Sequence, residues 1–203
     1  LARLDPGRLF DKFVGETEKN FRTALETAEG QAPIILWIDE IEKVFDASSG
    51  ESDGGLSRRL FGGFLTWLQE RRAEVFVVAT ANDLERLPPE LLRKGRFDEV
   101  FFVDLPSESE RCEIFAIHLA LRKQDPAQFD LSALAQASPE RSGAEIEQAI
   151  VGALYGLLAD HDAALTTERV IAELRASMPL AHSRREEIAA LRALGRERFV
   201  PVS

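Results

Sequence analysis

Cysteine is nearly missing from these 203 residues: Cys112 stands alone, which excludes an internal disulfide and any zinc site built from several cysteines. Histidine is almost as scarce. His118, His161 and His182 are scattered without metal-ligand spacing, and His118 falls in an apolar helical pattern where a structural role is expected. No run of about 18 apolar residues occurs, so no membrane-spanning helix is expected. The chain also opens without the charged, apolar and small-residue succession of a secretory leader. These absences read as an intracellular, cytoplasmic chain. Positive charge is short as well. With 25 Lys and Arg against 35 Asp and Glu, the net charge is −10, which weighs against a general nucleic-acid binder while leaving room for a local basic lining. The length suffices for a real core, as one domain or two small ones.

What the chain does have is a run of apolar residues with strand character, Ile34 to Ile38, that stops abruptly on Asp39-Glu40. In open α/β sheets ligands bind outside the carboxyl ends of the strands. A hard cation such as Mg²⁺ takes oxygen ligands there, directly or through water, and a neighbouring carboxylate can orient or deprotonate a water molecule. The plainer alternative is a strand leaving the core for solvent, where acidic residues are common.

Around this stretch the chain alternates. Leu1 to Asp5 reads as the end of a strand, so the chain is expected to continue something longer upstream. Glu16 to Glu29 is a helix, with Phe21, Leu25 and Ala28 at helical spacing and a favourable Glu18–Arg22 pair. Asp46 to Gly55 is loop by composition. Ser57 to Arg71 is an amphipathic helix, and Val75 to Thr80 is a second buried strand leading to Asn82. Leu87 to Leu92 suggests a turn of helix before the basic run Arg93-Lys94-Gly95-Arg96, and Val100 to Val103 is a third strand. Beyond Pro106 only helices are expected. Ser107 with Glu110 and Ser142 with Glu145 are capping boxes opening two of them, and further helices fall over 131–137, 167–177 and 184–194. The fold class predicted is therefore α/β over 1–106 followed by a small all-helical domain over 107–203.

Five segments in order resemble one family. The segments Ile34 to Glu40, Ala79 to Asn82, Leu91 to Asp98 and Ser142 to Ile146 match the Walker B strand, sensor 1, arginine fingers and sensor 2 helix of the AAA-type (AAA+) ATPases. Lys12 to Asn20 looks like the family's first pore loop and the helix after it. The whole chain is similar in particular to the plastid and cyanobacterial AAA ATPases known mainly as a conserved open reading frame.

The resemblance implies a partial P-loop NTPase sheet with a helical lid, ATP and Mg²⁺ as cofactors, and ATP hydrolysis by a ring, a hexamer, of copies of the chain. Asp39 would hold Mg²⁺ through water. Glu40 would polarise the attacking water, and Asn82 would help place it. Arg93 and Arg96 would reach the nucleotide of the next subunit; taken alone they read as a solvated basic turn. Gly143 and Ala144 would lie against adenine and ribose, and Arg141 nearby is given no catalytic role. Phe13 and Val14 would grip a protein substrate in the central pore, the alternative for Phe13 being a core position. Asp46 to Gly55 would be a second pore loop.

One family element is missing from these residues: no G-x-x-x-x-G-K-[ST] occurs, the loop whose backbone N–H groups and lysine cradle the β- and γ-phosphates. A fragment of a longer ATPase, inactive alone, is expected, with a non-hydrolysing scaffold or regulatory module as the alternative. A nucleic-acid motor is the third reading, disfavoured by the acidic charge.

Overall fold

The computed structural model describes residues 1–5, 14–46, 54–83, 86–93, 95–160 and 164–202. The chain forms two compact units, Leu1–Val100 and Phe101–Ser203, each with its own core.

In the first unit three strands run parallel in the order β1 (Ala2–Leu4), β2 (Ile34–Ile38) and β3 (Val75–Ala79). Leu4 lies opposite Ile38, and Ile38 opposite Ala79, so the strands end level with one another. Parallel neighbours require crossovers, and the helical stretches supply them. These are α1 (Val14–Gly30) between β1 and β2, and α2 (Glu42–Asp46) with α3 (Gly54–Glu70) between β2 and β3.

Because side chains alternate along a strand, Leu4, Leu36, Ile38 and Val75 share the face that is buried with the helices. From α1 come Phe21, Leu25 and Ala28, and from α3 Leu60, Phe64 and Leu68, the positions that helical spacing selects. Phe64 is wholly buried, with the rings of Phe21, Phe45 and Trp67 centred 5.8, 5.9 and 6.0 Å from its own. Ile35, Phe76 and Val78 alternate onto the other face and stay exposed, so β2 and β3 are buried on one side only.

The second unit is built on α4 (Glu108–Leu121), α5 (Leu131–Gln136), α6 (Gly143–Asp160) and α7 (Thr167–Ala176), followed by α8 (Leu180–Ser183) and α9 (Arg185–Arg198). Phe115, Leu119, Leu134, Ile146, Ile150 and Val170 fill its centre. Both capping boxes form. Ser107 Oγ accepts the Glu110 N–H while Glu110 Oε2 accepts the Ser107 N–H, and Ser142 and Glu145 repeat the exchange.

Two expectations need correction. The strand expected over 100–103 is reduced to β4 (Phe101–Phe102), which does not join the first sheet. It pairs in parallel with β5 (Val200–Pro201), so among the described residues the only strands of the second unit are those of this two-stranded ribbon. A close approach holds the ribbon to α9: a Cβ on Gly195 would come within 2.5 Å of the Phe102 ring, and Arg192 Nε donates to both oxygens of Asp104 at 2.8 and 2.9 Å. Finally, 87–92 makes turns rather than a helix. Pro88 and Pro89 have no N–H to give, and each disfavours the helical region for the residue before it.

Candidate active site

At the carboxyl ends of β2 and β3 the chain gathers polar side chains far apart in sequence. Asp39 and Glu40 follow β2 directly, and Thr80 and Asn82 follow β3. The parallel register places the two strand ends side by side, and backbone bonds extend the pairing. Thr80 N–H donates to the Ile38 carbonyl at 3.0 Å, and Ile41 N–H to the Thr80 carbonyl at 2.9 Å.

Asp39 is held at both oxygens. Arg3 Nη2 donates to Oδ2 at 3.0 Å and Thr80 Oγ1 to Oδ1 at 2.7 Å. The Arg3 guanidinium also lies 5.0 Å from the centre of the Trp37 ring, so the cation is laid along the sheet face toward Asp39.

Glu40 is held at both oxygens too. Asn82 Nδ2 donates to Oε1 at 3.2 Å and Lys43 Nζ to Oε2 at 2.6 Å. The Glu40 carboxylate, through that hydrogen bond, pushes the Lys43 ammonium above its ordinary pKa, and Lys43 therefore stays charged. Behind these groups Glu42 is buried. Its Oε1 accepts the Asn82 N–H at 3.1 Å and so places Asn82, while Oε2 has no hydrogen-bond partner among the described residues.

Among the described residues no group of three or more His, Cys, Asp or Glu could hold a metal. Mg²⁺ is commonly held by one or two carboxylates, waters and substrate phosphates. Asp39, part-exposed and already bonded at both oxygens, fits that role through a bridging water.

Arg93 and Arg96 lie on the turns after 87–92. Arg93 is exposed, whereas the Arg96 guanidinium donates back to the Glu90 carbonyl of its own turn. Gly95 between them has φ of 91°, a conformation for which glycine is suited.

In the second unit Gly143 and Ala144 begin α6 immediately after its Ser142 cap. A Cβ on Gly143 would make ordinary contact with Ile114, at 3.8 Å, so packing alone does not require glycine there. Arg141 points inward. It is buried, and its guanidinium donates to the Leu174 and Ser177 carbonyls at the end of α7 and to Ser177 Oγ. Phe13 and most of the Asp46 to Gly55 loop lie outside the described residues, and Val14 begins α1. Lys43, Glu42 and Thr80 are the site residues that sequence reading missed. Only Thr80 left a trace, as the polar residue closing an apolar strand.

Among the described residues no helix is long and apolar enough to cross a membrane. The profile of the ATPase family associated with various cellular activities (AAA) matches residues 1–105. An uncharacterized AAA domain-containing protein, ycf46, of Pyropia yezoensis is 45% identical over 95% of this chain and 39% of its own length. Its namesake in Guillardia theta is 45% identical over 94% and 38%. More distantly, the proteasome-activating nucleotidase of Aeropyrum pernix is 34% identical over 83% of the chain and 42% of its own length. The chain thus spans about two fifths of the length of these curated relatives. With more than half of its residues inside the family profile, and with this likeness to the plastid proteins over nearly all of them, the chain belongs to the AAA family of ATPases.

Proposed function

We propose that the chain is the Walker B, sensor 1, arginine-finger and lid portion of an enzyme that binds and hydrolyses ATP with Mg²⁺ as a ring. One observation supports this above the others: Asp39, Glu40 and Asn82 converge on one sheet edge, with Asn82 Nδ2 3.2 Å from Glu40 Oε1. A solvated strand end gives no reason for a second strand to deliver an amide to the same carboxylate.

ATP hydrolysis consists largely of positioning plus electrostatic stabilisation. Mg²⁺, when bound, neutralises charge on the transferring phosphoryl group. In this reading Asp39 holds its water shell, and Glu40 accepts a hydrogen bond from the attacking water and draws off its proton. Asn82, fixed by Glu42, aligns the water with Glu40. Arg93 and Arg96 are supplied to the neighbouring subunit's nucleotide. A finger given in trans requires a head-to-tail interface, and such interfaces close into rings when the rotation permits. Guanidinium stays charged and matches phosphate geometry.

Gly143 and Ala144 then face adenine and ribose, and Phe13 and Val14 engage a protein substrate. The likeness to the proteasome-activating nucleotidase favours a protein substrate over nucleic acid, as does the net charge of −10.

The test is turnover by the full-length protein. Glu40→Gln should lower kcat by about 10²-fold or more while nucleotide still binds, and wild-type turnover in that variant would sink the reading. Arg93→Ala should lose about 10³-fold or more. The 203-residue chain alone, without a phosphate cradle in its sequence, should show no turnover that Glu40→Gln removes.

A further inference from the structure

We propose that Thr80 is a positioning residue for the carboxylate pair, a single hydroxyl that sets both the orientation of the Asp39 carboxylate and the backbone of Glu40. This rests on the ATPase reading above.

A hydroxyl carries one donor and two acceptor sites, and Thr80 uses both kinds at this edge. Its O–H donates to Asp39 Oδ1 at 2.7 Å, and its oxygen accepts the Glu40 N–H at 3.1 Å. The second contact falls on an uncommon conformation. Glu40 has φ of 51°, in the left-handed region that residues other than glycine seldom adopt and that persists where the surroundings over-determine it. Thr80 over-determines it from two sides. Its hydroxyl takes the Glu40 N–H, and its carbonyl takes the Ile41 N–H at 2.9 Å. The Lys43 N–H closes the following turn onto the Glu40 carbonyl at 2.9 Å.

Neither job is explained by strand propensity, since Thr80 lies just past the end of β3. The first contact leaves Asp39 with one oxygen bonded to Thr80 and the other to Arg3, an orientation fixed from outside the ligand shell. Partners of that kind typically matter 10- to 100-fold, approximately, for metal affinity or activity.

The experiment uses the full-length protein with Thr80→Val, which keeps the shape and removes the hydroxyl, and Thr80→Ser, which keeps the hydroxyl. Two quantities are read: the Mg²⁺ concentration needed for binding of a fluorescent ATP analogue, and kcat. Thr80→Val should raise the Mg²⁺ requirement about 10- to 100-fold and lower kcat by a similar factor. Thr80→Ser should stay within about threefold of wild type in both. Wild-type Mg²⁺ dependence in Thr80→Val would overturn the proposal, as would a Thr80→Ser variant as impaired as Thr80→Val, because the methyl group and not the hydroxyl would then be at work. Glu40→Gln run in parallel separates the two readings. Unchanged turnover there removes the hydrolytic role of Glu40, while the Mg²⁺ titration still decides the role of Thr80.

Discussion

Lys43 Nζ lies 2.6 Å from Glu40 Oε2, so the carboxylate assigned to the attacking water is already ion-paired within its own turn. Both side chains are substantially exposed, at 60% and 37%, and exposed pairs contribute little and weaken with salt. The cation ties up one of the Glu40 oxygens that the water would otherwise use. Lys43→Met in the full-length protein should therefore raise kcat by about two- to fivefold, a gain that shrinks as ionic strength rises. A loss of 100-fold or so would instead place the lysine on the reacting phosphate.

Arg141 makes the opposite case, a buried cation directed at backbone. It satisfies the Leu174 and Ser177 carbonyls where α7 ends, and it sits just before the capping box of α6. Arg141→Met should destabilise the protein by about 2–4 kcal/mol, since those carbonyls lose a charged donor. Arg141→Lys should recover only part of this, because an ammonium lacks the planar fork that spans several acceptors. Urea unfolding of the second unit measures both, and a stable Arg141→Met variant would contradict the capping role.

Glu145 sets an acid limit. Burial alone would raise its pKa, but the Ser142 and Leu180 N–H groups, the Ser142 hydroxyl and the Arg141 charge together hold it below the ordinary 4.5. A carboxyl depressed in the folded state contributes stability that is present above that ordinary value and lost as pH falls through the folded one. Unfolding midpoints in urea should therefore drop below about pH 4.5 in the wild type and drop less steeply in Glu145→Gln. Parallel acid limbs in the two proteins would remove Glu145 from the account.

Phe64 anchors the first unit, with no exposed surface and three aromatic neighbours. Phe64→Ala should cost about 3–5 kcal/mol through lost burial and a residual cavity, and Phe64→Leu markedly less. Thermal or urea unfolding gives the values, and a Phe64→Ala cost under about 1 kcal/mol would mean that the site collapses freely.

What could be read in advance follows the range of the forces involved. Helices α1, α3, α4 and α6 were legible because periodic apolar residues and caps act within a few positions. Asp39, Glu40 and Asn82 were legible because polar residues closing apolar strands violate the local pattern. The β4–β5 ribbon was not, since Phe101 finds Val200 across nearly the whole second unit. Nor was the left-handed Glu40, for glutamate carries no signal for that conformation and its cause is a hydroxyl 40 positions away. A lone lysine carries no local signal of its partner, and only the turn begun by Glu40 brings Lys43 onto the carboxylate.

The sheet of the first unit carries Ile35, Phe76 and Val78 bare on one side, and among the described residues β3 ends the sheet with no strand beyond it. An uncovered apolar face beside an unpaired edge is adhesive toward any similar surface. The 203-residue chain purified by itself should therefore bind hydrophobic dyes and clump with concentration whatever nucleotide is added. A large particle seen in light scattering will speak for finger-bearing subunits only if it depends on ATP and vanishes with Arg93→Ala.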